Sequence, residues 1–446
     1  MDKKILFLVV LCLLAAGCSS ISSTRIVQPT PIISPSAIFI STETSIPLPS
    51  ETPVILQEVS RTCVEIKNSN SQLPMNGIAI FDNLSPDLVT TIFMHDLESS
   101  NLKILTTPGG LWRLWGISPN RKYMMYEYET SSGTDYQLAI ADFSGQIIKT
   151  FDTLFPNDLW SASYYDWLNE ENIRVGLFFE SPESSRMSPR TYNFFTGNYI
   201  VLKTDFPDYV AKNLDWRLDW IAHSTLHYEG TNLVFDPSVT RVVYPKKGEN
   251  VSLADVESGR ELASIHVPQW GRLPKWSTDG EHLALIATAK PNSPKESEEI
   301  YVVQRDRGEF KRLTYLSNTF EQSAIADYAW SPDGTKIAFW SYTNIGDPKA
   351  EGTQSELRIL DISTGEVTNL CIQGISAVTS LNDVVQFSHI EPIWSPDGNQ
   401  IMISQWVAPE DKNNKNYDVL VIDLPSLTGI KIDENKQPTS WMTKAP

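Results

Sequence analysis

Two acidic residues, Asp327 and Glu391, are the side chains of this 446-residue chain best spaced to do chemistry. Beside them stand Trp112, Arg113, Tyr164, Trp270 and Arg272. Paired carboxylates act as acid and base when held close together. Aromatic faces beside cations bind peptides or sugars by stacking and charge. Asp327 and Glu391 each lie three residues before a tryptophan, Trp330 and Trp394. The same position in related stretches reads Leu114, Tyr164, Asn232 and Leu273. Other chemistry lacks its signatures. The chain has no Gly-x-Ser-x-Gly elbow, P-loop, Gly-x-Gly-x-x-Gly, His-Glu-x-x-His or Cys-x-x-Cys. His223 and His227 have metal-ligand spacing for a helix, but residues 218–228 are read as a loop or strand pair. No catalytic residue, metal or cofactor is therefore assigned.

Composition narrows the partners. The formal net charge of −18 leaves no cluster of cations to neutralise phosphates, so nucleic acid is excluded as a ligand. Anionic lipid would repel such a domain, so membrane contact has to come from an anchor. Residues 1–18 supply one: Met-Asp-Lys-Lys, an apolar run over 5–14, then Ala15-Ala16-Gly17-Cys18. That run is a secretory signal too short to span a bilayer. The Ala-Ala-Gly-Cys ending resembles the bacterial lipobox, with Ala15 where Leu is usual. The resemblance implies acylation of Cys18, which becomes the mature N-terminus. Residues 19–58 are rich in Ser, Thr and Pro, with almost no charge, and read as a disordered tether. Of four cysteines, Cys12 leaves with the signal, so Cys63 and Cys371 remain. Two thiols in an exported protein could pair. Counted along the repeats they fall in units one and six, which are not neighbours in a ring of seven, so two buried free cysteines are expected.

What positions the candidate residues is a repeat. Trp330-Ser331-Pro332-Asp333-Gly334 recurs as Trp394-Ser395-Pro396-Asp397-Gly398 and nearly as Trp276-Ser277-Thr278-Asp279-Gly280, each before an apolar strand. Pro presets φ, Ser and Asp bond back to the backbone, and Gly takes the left-handed conformation. These residues are expected to be structural, with the tryptophan wedged between sheets. Weaker copies are Ile117-Ser118-Pro119-Asn120, Trp167-Leu168-Asn169-Glu170 and Phe235-Asp236-Pro237-Ser238. Between them recurs a second unit, strand, Asp-containing tight turn, strand, centred on Asp96, Asp142, Asn193, Asp255, Asp306, Asp361 and Asp423. The two kinds of turn alternate, giving four antiparallel strands per unit. Repeated around a ring, that is an all-β propeller over 59–446, with seven four-stranded blades expected and six or eight as alternatives. The first unit lacks a Trp-led turn, and 62–66 with 77–81 are expected as its inner strands.

Trp-Ser-Pro-Asp-Gly followed by a Lys-Ile-Ala-Phe-type strand resembles the WD40-like "PD40" repeat of TolB-type propellers. The resemblance is clear over 276–403 and degenerate from about 60 to 430. It implies a propeller and leaves open Tol-system proteins, propeller domains of oligopeptidase-like enzymes, oligogalacturonate lyases and uncharacterised lipoproteins. The α/β domain that precedes TolB-type propellers is replaced by the tether, and no hydrolase domain follows Asp423. In this strand order both kinds of turn share one face. The longer connections, 289–299, 343–354, 373–390 and 407–417, share the other, where a ligand is expected because loops carry function on a rigid scaffold. The leading expectation is a monomeric lipoprotein anchored to a bacterial membrane outside the cytoplasm, binding protein, peptide or cell-envelope glycan and catalysing nothing. The rival is a polysaccharide lyase or hydrolase working at the channel mouth. A sensor domain for an envelope complex is the third reading, on the Tol likeness alone.

Overall fold

Short apolar runs punctuated by turn residues leave no room for an amphipathic helix. The computed structural model is accordingly built of sheets, with one short helix, Leu316–Thr319, among the described residues. The structure describes residues 59–67, 73–83, 92–105, 111–118, 120–129, 136–150, 160–167, 172–181, 184–196, 199–201, 234–238, 240–246, 250–255, 258, 260–266, 274–289, 297–320, 322–343, 353–378, 391–407 and 416–443. Cys18, the tether, His223, His227, Trp270 and Arg272 lie outside these residues, as do most of the four longer connections.

The described strands form seven sheets, numbered I to VII. Sheet II comprises Leu111–Ile117, Tyr123–Glu129, Tyr136–Asp142 and Ile147–Thr150. Sheet III comprises Trp160–Trp167, Asn172–Ser181, Ser184–Asn193 and Tyr199–Val201. Sheet IV holds Val234–Phe235, Arg241–Lys246, Asn250–Asp255 and Glu261–His266. Sheet V holds Lys275–Trp276, His282–Thr288, Glu298–Gln304 and Phe310–Arg312. Sheet VI runs Ser323–Trp330, Lys336–Thr343, Thr353–Asp361 and Val367–Val378. Sheet VII runs Ile393–Trp394, Gln400–Val407, Asn416–Asp423 and Thr428–Glu434. In each of these the strands pair antiparallel in chain order. The first strands of V, VI and VII touch their neighbours in turn, so they are the inner ones. This is a β-propeller.

Both kinds of turn behave as their residues dictate. Ser331 Oγ donates to Asp333 Oδ1 at 2.6 Å and accepts from Lys336 N at 2.9 Å, while Thr335 N donates to Asp333 Oδ1 at 3.1 Å. The Ser395 turn repeats this at 2.6, 2.9 and 3.1 Å. The Ser277 turn repeats it at 2.5, 3.0 and 3.0 Å. The weak copy at Ser118 does so too, with Asn120 in place of Asp, at 2.8, 2.9 and 3.1 Å. At the outer hairpins Asp96, Asp142, Asn193, Asp255, Asp361 and Asp423 each accept backbone N–H groups of the turn. Asp306 instead takes an ion pair from Arg241 of sheet IV at 2.6 Å.

The core is divided among the seams between sheets rather than gathered at a centre. Ile401, Ile403 and Leu420 of sheet VII pack on Trp340, Leu357 and Leu370 of sheet VI. Ile300 and Val302 of sheet V pack on Ile337, Phe339 and Leu360 of sheet VI. Each such aliphatic side chain contributes about 1.5–3 kcal/mol on burial. The tryptophans bolt the seams from within. Trp330 Nε1 donates to the carbonyl of Lys275 at 2.9 Å, and Trp394 Nε1 to that of Ala329 at 3.1 Å. Each indole thus reaches the residue just before the tryptophan of the preceding sheet.

Sheet I departs from expectation. Its inner strand is the C-terminal Lys436–Met442, paired with Ile78–Asn83 and followed by Ile92–Asp96 and Asn101–Leu105. Trp441 packs against Met402, Val419 and Val421 of sheet VII, while its Nε1 donates to the carbonyl of Asn76, just before Ile78–Asn83 of its own sheet, at 2.9 Å. Residues 62–66 are therefore not an inner strand. Instead Ser60–Arg61 adds to the outer edge of sheet VI and Glu65–Lys67 to that of sheet VII, both parallel. The reason is composition: Glu65, Ile66 and Lys67 are all exposed, and two charges cannot line a packed inner position. The same correction applies to the cysteines. Cys63 crosses the seam between VI and VII and forms a disulfide with Cys371, Cα–Cα 4.8 Å. Unit membership misled here, because Cys63 belongs to a strap outside the repeat.

Candidate functional site

The inner strands converge three charged side chains that the sequence holds far apart. Lys275, first residue of the inner strand of sheet V, extends its Nζ to Asp327 Oδ1 of sheet VI at 3.0 Å and to Glu391 Oε2 at 2.7 Å. A third bond runs to the carbonyl of Tyr328 at 2.8 Å, and the ammonium lies 5.0 Å from the Tyr328 ring centroid. Glu391 lies two residues before the inner strand of sheet VII, so one ammonium ties three successive sheets together. The search along the position three before each tryptophan found both acids. It returned Leu273 in sheet V and so missed Lys275, which stands one before Trp276.

Electrostatics keep this hub charged. Burial alone would lower the Lys275 pKa, but Asp327 and Glu391 outweigh it, and the net shift is upward. Burial raises the Tyr328 hydroxyl, which donates to the carbonyl of Ala284 at 3.0 Å. Side-chain exposures of 28% for Lys275, 25% for Asp327 and 43% for Glu391 leave the acids within reach of solvent.

Glu391 lines a cavity of ≈ 200 Å³ at the channel, walled by Trp330, Trp394 and Trp441. Thr278, Pro332 and Arg121 of the Trp-led turns line it as well, so this cavity opens on the turn face. Most of the longer connections, on whose face a ligand was expected, lie outside the described residues. Among the other candidates, Trp112, Arg113 and Tyr164 lie on the inner strands of sheets II and III, and their side chains lie outside the described ones. The buried Glu299 is structural, because its carboxylate accepts from Arg312 at 2.7 Å, Thr314 at 2.6 Å, and the Leu316 and Ser317 amides at 3.0 and 2.8 Å. Among the described residues no group of three His, Cys, Asp or Glu is placed to hold a metal ion.

No family model matches the chain. An uncharacterized peptidase of Bacillus subtilis (strain 168), YuxL, is 21% identical over 229 residues, covering 43% of this chain. The match spans 32% of that relative's own length. Among solved structures, TolB from Acinetobacter baumannii is 16% identical with a TM-score of 0.38, covering 80% of this chain and 79% of its own. The Cps50 (Swd1) β-propeller domain of Myceliophteria thermophila is 14% identical with a TM-score of 0.40, covering 78% and 94%. These are likenesses of fold, and the fold itself rests on the sheets and turns described above. The chain is a β-propeller of seven sheets among the described residues.

Proposed function

We propose that this protein is a lipid-anchored, extracytoplasmic propeller that binds a protein or peptide partner at its central channel and catalyses nothing. The observation that carries the reading is the meeting of Asp327 and Glu391 on Lys275 beside a cavity walled by indoles. Such a surface, rigid, partly exposed, aromatic and charged, suits recognition of a peptide segment or protein tail. Cell-envelope glycan is the lesser ligand, since stacking on indoles would serve it but the ion-paired acids would not be needed. The Cys63–Cys371 disulfide supports a place outside the reducing cytosol. The anchor rests on Ala15-Ala16-Gly17-Cys18 alone.

One observation favours the rival lyase or hydrolase: the two carboxylates do converge. Against it, the Lys275 ammonium bridges one oxygen of each acid, Asp327 Oδ1 at 3.0 Å and Glu391 Oε2 at 2.7 Å, which ties the pair into an ion-paired link between sheets. Affinity capture from cell envelopes tests the proposal, with the wild-type protein compared against the Asp327→Asn/Glu391→Gln double variant. Specific capture of a protein by the wild type alone supports it. Turnover of a pectin or peptide panel by the wild type, lost in the double variant, would replace it with the enzyme.

A further inference from the structure

We propose that the cavity at the turn-face mouth of the channel binds a small dipolar ligand, an amino acid or short peptide, with its carboxylate on Arg121 and its ammonium on Glu391. The proposal concerns a small molecule in the cavity and at the Glu391 that the reading above gives to a macromolecular partner, and it rests on that reading's placement of the site. The small-molecule probes below test it separately from capture of a protein. It begins with a residue that breaks its own repeat. Gly280, Gly334 and Gly398 hold the fourth turn position at φ of 72°, 68° and 72°. In sheet II the same position is Arg121, at φ 56°. Its N–H donates to the carbonyl of Ser118 at 2.7 Å, as that of Gly334 does to Ser331 at 2.9 Å. A side chain is disfavoured in this left-handed conformation, and strain kept at such a point directs attention to function.

The Arg121 side chain has no hydrogen bond or ion pair among the described residues, yet it lines the cavity. Burial is the one influence on its ionisation, and it lowers the pKa. A guanidinium stays protonated regardless and presents a planar fork suited to a carboxylate. Around it the cavity offers the Ser440 and Thr278 residues and the three indoles, whose N–H groups are already committed to backbone carbonyls. Those indoles therefore contribute apolar surface.

The acidic residue of the lining is Glu391. Lys275, Asp327 and Glu391 together sum to one negative charge, and Arg121 adds one positive charge to the lining of the same cavity. A purely anionic ligand would meet Glu391 and a purely cationic one would meet Arg121. A ligand carrying both charges satisfies both. The volume of ≈ 200 Å³ is below the range of drug-sized sites and suits a ligand of amino-acid size.

The test is titration calorimetry of the full-length protein in detergent with four probes: L-phenylalanine, phenylalaninamide, N-acetylphenylalanine and the dipeptide Phe-Gly. L-Phenylalanine or Phe-Gly is expected to bind, and whichever is tighter tells the free amino acid from the peptide. Removing either charge is expected to weaken binding at least tenfold, the least that one charge-assisted hydrogen bond supplies. Arg121→Gly restores the residue of the sister turns, so its melting temperature should hold or rise. It should bind phenylalanine and phenylalaninamide alike, both weakly. Glu391→Gln should lose the preference for a free ammonium instead. Absence of saturable binding by all four probes would overturn the proposal. So would Arg121→Gly binding L-phenylalanine as tightly as the wild type.

Discussion

Replacing Cys63 and Cys371 by serine should lower the melting temperature by several degrees. The bridge spans a sequence separation of 308 and so closes almost the whole propeller into one loop. In the chain-entropy treatment a loop of that length removes about 19 cal/mol/K from the unfolded state, or about 5.7 kcal/mol at 25 °C, and measured bridges reach about 5. We take about 3–5 kcal/mol. The unfolding entropy of about 2.1 cal/mol/K per residue over the compact unit Ile55–Pro446 is about 0.8 kcal/mol/K, so the shift should be about 4–6 °C. The strap adds contacts that depend on the bridge: Thr62 N donates to the carbonyl of Asn369 at 2.9 Å, and Val64 N to that of Leu370 at 3.1 Å. Val59 packs at the seam of V and VI, Val64 at that of VI and VII, and Met75 at that of VII and I. Calorimetry of the wild type and the Cys63→Ser/Cys371→Ser variant reads the shift directly. A difference below about 1 °C, against the several degrees that loop closure supplies, would refute the reasoning. So would thiol labelling of both cysteines in the native wild type.

Lys275→Met leaves Asp327 and Glu391 facing each other without their cation. We expect a loss of about 1–3 kcal/mol, below the value for a fully buried pair because both acids are partly exposed. The folded pKa of Lys275 is raised, so its contribution is complete below the unfolded value of about 10.4 and is lost as pH climbs above it. The difference in urea midpoint between wild type and Lys275→Met should therefore stay constant up to about pH 10 and only begin to shrink above it. Trp394→Phe keeps an aromatic ring but removes the indole donor to the carbonyl of Ala329, and should cost about 0.5–1.5 kcal/mol in the same assay. Deleting 436–446 removes the inner strand of sheet I and should abolish the cooperative melt, whereas deleting 444–446 should not.

The repeat was legible because turn chemistry is local. Ser331, Asp333 and Gly334 interact within a few residues, so their spacing reports their geometry, and even Ser118 with Asn120 could be read through its substitutions. Closure of the ring was not legible. Lys436–Met442 carries Pro438 and no alternation, which demotes a strand on sequence grounds. It is accommodated at the inner edge, beside the register shift between Ile80 and Phe81. The disulfide followed from that same strap and was missed with it. At the site, Asp327 and Glu391 were found by their place relative to a tryptophan. Lys275 was not, because sheet V offers its charge two residues later along a very short inner strand. Asking which cation could balance two inward acids would have reached it.

Photocrosslinking in living cells tests the central claim most directly. A photoreactive residue placed at Ile393, beside Glu391 in the channel cavity, is compared with one at Lys103 on the exposed outer strand of sheet I. A discrete protein adduct is expected from position 393 that disappears in the Asp327→Asn/Glu391→Gln background, and none from 103. Adducts from 103 alone, or a 393 adduct indifferent to the two acids, would contradict it.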